Sequence, residues 1–160
     1  MLYRYIGPES VRVRASTEPR GTPIRSLADL TDFARREPTF SSEGATFVVL
    51  EDDTLRLAPR RSEHVACASG APVRAAGELA LSLVRGRWTV TYCSNQSTGY
   101  CPDPACFGAL ATALDALGVA RPLAWTSSFV LRRCELCAQI QVIKDEVYEC
   151  AVCGAALERG

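Results

Sequence analysis

The sequence predicts an α+β fold: an antiparallel strand-rich body with two helices over residues 1–131, then a C-terminal four-cysteine hairpin over residues 132–160. Three observations predict it. Short apolar runs of period two recur in pairs joined by turn residues, two stretches repeat apolar residues at helical spacing, and four of the eight cysteines form two Cys-x-x-Cys pairs near the end.

In chain order, Ser16 to Pro23 ("STEPRGTP") reads as a linker. "SLADLTDFARREP" reads as a short amphipathic helix with Ser26 as N-cap, Leu27, Leu30, Phe33 and Ala34 on one face, and a stop before Pro38. "TFVVL-EDD-TLRLA" reads as a hairpin, and "ELALSLV-RG-RWTVTYC" as a longer one turning at Arg85-Gly86. Alternation puts Leu79, Leu81 and Leu83 on one face of that hairpin and Trp88, Val90 and Tyr92 on the matching face of its partner. "PDPACFGALATALDALG" reads as the second helix, with Asp103 as N-cap, Pro104 in the first turn, a Phe107, Leu110, Leu114 and Leu117 stripe, and Gly118 as terminator. "WTSSFVLRR" carries the chain into the cysteine hairpin as a last strand.

A length of 160 residues with 48% apolar content is enough for a core of its own. Eighteen basic residues balance eighteen acidic ones, so no global field steers the chain toward nucleic acid or anionic membrane, and a charged partner must be recognised locally. The sequence lacks a long apolar run, and Arg4 interrupts the N-terminal "MLYRYIG", so the expectation is a soluble, cytoplasmic protein without a membrane partner. Lys144 is the only lysine against seventeen arginines, a bias that points to a GC-rich bacterial genome.

A cysteine count of eight would suit a secreted disulfide framework, but a chain with a normal core and no signal sequence has no need of one. Paired Cys-x-x-Cys spacing points to metal, because two residues between thiolates let both sulfurs and the intervening amides wrap one ion. The insert "AQIQVIKDEVYE" has strand-like alternation at Gln139 to Ile143 and at Val147 to Cys150, with Lys144-Asp145-Glu146 as the turn between them. Gly154, directly after the last ligand, supplies a positive φ. Cys134, Cys137, Cys150 and Cys153 in this arrangement resemble a zinc ribbon, which implies one Zn2+ held by four thiolates. The resemblance covers about the last thirty residues, and with every coordination position filled by protein it implies a structural clip or protein-docking surface. From Arg132 onward, five acids (Glu135, Asp145, Glu146, Glu149 and Glu158) outnumber four cations, so generic nucleic-acid binding is not expected of the ribbon.

In the body, polar residues concentrate in "RRSEHVACASGAPVRAAGE" and "SNQSTGYCPDP". His64, the only histidine, lies in the first with Arg60, Arg61 and Glu63, and the second leads into the helix start at Pro104, where free amides favour an anion. His64, Gly70, Val73, Ala75 to Glu78, Asn95, Ser97, Tyr100 and Pro102 resemble a pattern, His then Gly-x-x-Val-x-Ala-Ala-Gly-Glu then Asn-x-Ser-Gly-His-Tyr-x-Pro. That pattern belongs to an uncharacterised bacterial toxin- or effector-like family and to plant calmodulin-binding IQ-motif proteins. Thr98-Gly99 stand where the pattern has Gly-His, and the resemblance implies no agreed activity.

Each candidate admits two readings. His64 is a general base, or a histidine bonded at a strand end; Glu78 is its partner acid, or the ion-pair mate of an arginine. Asn95, Ser97 and Tyr100 hold a ligand, or build an ordinary turn. Cys93 is a nucleophile for His64, or core; His64, Cys67, Cys101 and Cys106 form a second metal site, or bury separately. Two functions follow. The first is a zinc-binding accessory protein whose loop 94–103 near His64 meets another protein or a small anionic ligand. The second is a small transferase or hydrolase using His64, Glu78 and the Asn95 to Tyr100 loop on a nucleotide-like or protein substrate, with Arg60, Arg61 and the helix start holding an anion.

Overall fold

The run "ATFVVL" is apolar at nearly every position, the pattern of a strand covered on both faces, and it forms the middle of the sheet. A computed structural model describes residues 1–159. In chain order the body comprises α1 (Glu9–Ala15), β1 (Thr22–Ile24), α2 (Leu27–Arg36), α3 (Phe40–Glu43), β2 (Ala45–Leu50), β3 (Leu55–Pro59), α4 (His64–Cys67), β4 (Val73–Val84), β5 (Arg87–Ser94) and α5 (Phe107–Ala116), the last entered through a 3₁₀ turn at Pro104–Cys106. The five strands run antiparallel in the order β1-β3-β2-β4-β5. Along β2, Phe47 and Val49 face one apolar cluster with Leu30, Phe33, Phe40, Leu110 and Leu114, while Val48 faces the other with Ala15, Val65, Ala76 and Tyr100. Thus α2, α3 and α5 cover one face of the sheet, and α1 and α4 the other.

The expected α2 begins where Ser26 Oγ accepts the amide of Asp29 at 3.2 Å. The expected α5 begins where Asp103 accepts the amide of Ala105 at 2.8 Å, and it ends at Gly118 with φ 72°. The β4–β5 hairpin turns at Arg85 and Gly86, both left-handed as a two-residue turn requires.

Four expectations about the body are corrected. The alternation on β5 breaks at Thr91, which has no partner on β4: Ala80 pairs with Tyr92 and Leu81 with Val90. That bulge moves Tyr92 off the core face and puts Cys93 there instead. Leu83 is exposed because β4 outruns β2, whose pairing stops at Leu79. The Ser16–Pro23 stretch is not all linker, since Thr22–Ile24 adds an edge strand to β3, where Pro23 is tolerated. Besides the two expected helices there are α1, α3 and α4, whose length of 4 to 7 residues leaves too few turns for a visible stripe.

The tail forms a separate two-stranded sheet of β6 (Val130–Arg133) and β7 (Ile140–Ile143). The second limb of the expected hairpin, Val147–Cys150, forms no strand. Asp145 and Glu146 make the turn at left-handed φ, as expected, but the returning chain bends into the second cysteine pair and bridges only Glu149 to Ala156. Among the described residues no helix is long and apolar enough to cross a membrane.

Candidate metal centre and the adjoining cleft

The two Cys-x-x-Cys segments fold as near copies of one another. In the first, the Cys134 amide donates to the Gln139 carbonyl (2.8 Å) and the Ala138 amide to the Cys134 carbonyl (2.9 Å). In the second, the Cys150 amide donates to the Ala155 carbonyl and the Gly154 amide to the Cys150 carbonyl, both at 2.8 Å. The residue after each second cysteine is left-handed, Ala138 at φ 61° and Gly154 at φ 71°. That bend turns the amides of Gln139 and Ala155 onto the sulfurs of Cys137 and Cys153.

The four Sγ atoms lie within 4.8 Å of one another, with 3.6 Å between Cys134 and Cys153 and 3.5 Å between Cys137 and Cys150. A tetrahedral ion with sulfur at about 2.3 Å has edges of roughly 3.8 Å, so the cage has the size of one four-thiolate ion. Disulfides, at roughly 2.05 Å, are absent. Amides of Cys153 and Val152 hold the Cys150 thiol down to about 6. Cys153, despite the Ala155 amide favouring its thiolate, is pushed up to about 12 by loss of hydration and then by the surrounding sulfurs of Cys134, Cys137 and Cys150. One thiolate forms readily and the next is opposed, so a cation is what lets all four ionise together. These four cysteines are arranged to hold a metal ion, and among the described residues they are the one such cluster.

Most of the body candidates are bonded to neighbouring groups. His64 opens α4, half-buried, and its Nε2–H donates to the Gly77 carbonyl at 2.9 Å. Burial, opposed by that hydrogen bond and reinforced by the Arg60 guanidinium, lowers its pKa to about 4. Glu78 is held by Arg60 at 2.7 Å. Asn95 is buried, with its amide nitrogen donating to the carbonyls of Pro102 (2.9 Å) and Phe129 (2.7 Å) and its oxygen accepting the Phe129 amide (2.8 Å). Tyr100 is buried and donates to the Ala71 carbonyl at 2.8 Å, and burial raises its pKa. Ser97 is buried too, and its Oγ has no protein partner. Gly77 is fixed by contact rather than by φ, because a Cβ there would sit 1.9 Å from the Ser94 carbonyl oxygen.

Three sequence readings fail on geometry. Cys93 lies in the α5-side cluster, whereas α4 and the ring it carries are on the opposite face, so the two do not form a nucleophile–base pair. Cys67 and Cys106 likewise belong to opposite clusters, which removes the second metal site. Burial pushes both of those thiols up to about 12, and Cys101, whose thiol donates to the Thr98 carbonyl, up to about 11. The expected anion seat at the helix start is filled by the Asp103 carboxylate, and Arg60 is spent on Glu78.

What the polar loop does reach is the ribbon. A cleft of about 490 Å3 has Tyr5, Ile6 and Pro8 on one wall, Thr98 and Gly99 at its base, and Arg133 with Ala138 to Ile140 on the ribbon wall. The body wall is rigid: Ile6 donates its amide to the Gly99 carbonyl at 2.8 Å, the Tyr5 ring leaves no room for a Cβ on Gly99, and Tyr5 packs edge-on against Tyr100. The N-terminal wall was not legible in the sequence, since "YRYIGP" has neither period nor motif. His64, Glu78, Asn95, Ser97 and Tyr100 do not line this cleft. Compared with protein-family models, curated proteins and solved structures, the chain finds no match, so the resemblance of the body to the toxin-like and IQ-motif pattern gains no support.

Proposed function

We propose that this chain is a zinc-binding accessory protein that seats a polypeptide segment of a partner protein in the cleft between ribbon and body. Four thiolates favour zinc over the oxygen-seeking cations, and amides directed at sulfur suit a permanent structural ion. The observation that carries the reading is the cleft itself. Loop residues Thr98 and Gly99, Pro8 of the N-terminal segment and Ile140 of the ribbon meet there, with Glu63 and Arg133 as its charged rim. Such a mixture of apolar wall and opposed charges suits a peptide better than a phosphate backbone. Two of the ribbon's four cations are also occupied: Arg132 binds the carbonyls of Glu158 and Arg159, and Arg159 stacks over Tyr148 at 5.3 Å. That leaves little for generic nucleic acid.

Catalysis by His64 with Glu78 is the weaker reading, because the imidazole N–H is tied to backbone and the carboxylate to Arg60. The test has two arms. Metal analysis of purified protein should find one zinc per chain. Partner proteins cross-linked to the chain in its host should be lost from Thr98→Arg and Ile140→Asp variants that keep their fold and zinc. Partner capture indifferent to both substitutions would overturn the cleft as the binding site.

A further inference from the structure

Of the groups first assigned to an anion, Arg60 and the helix start are committed, whereas the α1–α4 layer carries a further basic pocket. We propose that the pocket between α1 and α4 binds a single phosphate-like oxyanion, either free phosphate or the phosphoryl end of a small phosphomonoester. The inference is independent of the ribbon cleft. The pocket, about 280 Å3, has Arg12, Ser16 and Arg20 on one wall and Val65, Ser69 and Gly70 on the other, with no carboxylate in its lining. Behind Ser69 lies a third guanidinium: Arg56 donates from Nη1 to Ser69 Oγ at 3.1 Å, while its Nε is buried without any acceptor.

The basic side chains of the pocket are not consumed by carboxylates. Among the described residues neither Arg20 nor Arg56 has a carboxylate partner, and Arg12 has only Glu9 at 3.9 Å, a contact in which both side chains are more than half exposed. Arg14, between them in sequence, pairs instead with Glu63. Arg56 does not line the pocket and adds positive potential from behind Ser69 rather than a direct contact. The carbonyls at the ends of α1 and α4 already accept backbone hydrogen bonds. Ser16 caps the Arg12 and Val13 carbonyls, Thr17 that of Arg14, and Glu18 that of Ala15, while the Ser69 and Gly70 amides close those of Ala66 and Val65. Because Ser69 Oγ accepts from Arg56, its own hydrogen is free to donate into the pocket. Two arginines and one hydroxyl around a small concavity supply the kind of donors that phosphate oxygens accept. The volume is far above the share of one water, roughly 30 Å3, and below the about 300–1,000 Å3 of pockets for larger ligands.

The test is an amide NMR titration of the intact zinc-loaded chain with sodium phosphate, against sodium chloride at matched ionic strength. The expected result is a saturable shift of Ser69 and Gly70 with phosphate alone. Affinity should be weakened about tenfold or more by Arg12→Gln with Arg20→Gln and unchanged by Arg35→Gln on α2. Both arginines of the double variant are exposed, so loss of fold does not confuse the result. Phosphoserine binding at least tenfold tighter than phosphate assigns a phosphomonoester, and equal affinities assign free phosphate; both support the site. Equal shifts with chloride, a response that never saturates, or a double variant binding as the parent does would overturn it.

Discussion

The body and the ribbon are stabilised by different chemistry. The body encloses β2 between two apolar layers and buries side chains as large as Phe40, Phe47 and Tyr100. Over residues 130–159 the ribbon buries only Leu131, Cys134, Cys150 and Leu157, with Ile143, Tyr148 and Ala155 packed around the cysteines and Leu157. Below about 40 residues a core alone seldom holds a fold, so in the ribbon the sulfur cage takes the place that leucine and phenylalanine fill in the body. The difference divides dependence on conditions: the ribbon should answer to metal, the body to packing and to protonation.

The largest effect should come from breaking the cage. Structural zinc contributes on the order of 10 kcal/mol of apparent binding free energy at neutral pH, more than a hairpin with four buried residues can supply otherwise. Cys150→Ser, or exhaustive chelation, should therefore unfold residues 130–159, collapsing the amide NMR dispersion of Ile140 to Ile143. Tryptophan fluorescence should stay native, because Trp88 and Trp125 both pack in the body. A simultaneous loss of both signals would show that the two regions fold as one.

The reverse experiment strikes the body and spares the metal. At Gly77 a methyl group would overlap the Ser94 carbonyl, a backbone atom that cannot step aside without shifting the β4–β5 pairing. Gly77→Ala should cost about 3 kcal/mol or more by thermal or urea unfolding, at the upper end of overpacking effects, with zinc content unchanged. Protonation gives a smaller contrast. His64 has its pKa held at about 4 in the folded chain, below the unfolded value of about 6.5. As pH falls through that window the unfolded chain takes up the proton first, so the stabilisation is complete above about 6.5 and drains away toward 4. For a half-buried ring the loss should be on the order of 2 kcal/mol. Urea titrations between pH 7 and 4 should show that slope in the parent and its absence in His64→Gln.

The same division decides what could be read in advance. The metal centre was legible because its information is local: a thiolate pair needs a two-residue gap wherever it sits, and "CELC" and "CAVC" carry that gap. The helices α2 and α5 were legible because Ser26 and Asp103 cap them and apolar stripes follow. What escaped depends on contacts distant in sequence. The bulge at Thr91 leaves no mark in the alternation of "RWTVTYC", and the burial of Arg56 behind Ser69 joins residues 13 apart whose side chains look solvent-bound. For His64 the sequence left a base and a strand-end partner open, and the contact it could not supply is the Gly77 carbonyl 2.9 Å from Nε2. The site-like polar density of "SNQSTGY" proved to be a clamp: Asn95 ties the loop to Pro102 and Phe129, and Thr98 and Gly99 are what remain to face the cleft.

The smallest effect sharpens the comparison most, since it separates the ribbon's backbone from its metal. The two knuckles repeat the same hydrogen bonds, but the left-handed position is glycine in one and alanine in the other, Gly154 and Ala138. A β-carbon in that region costs roughly 1 kcal/mol relative to glycine, and Ala138 is exposed, so replacing it leaves no cavity. Ala138→Gly should stabilise the zinc-bound ribbon by about 0.5 to 1 kcal/mol, reduced somewhat by the added freedom of the unfolded chain. Zinc competition against a chromophoric chelator should then show an affinity about two- to fivefold higher, with the melting of the body unmoved. The mirror substitution, Gly154→Ala, should lower affinity by a similar factor, because the nearest atom to its new methyl is Glu149 Oε1 at 3.9 Å and only φ opposes it. If both changes leave zinc affinity where it was, the amides of Gln139 and Ala155 are not held on sulfur by that bend, and the cage owes its shape to the metal alone.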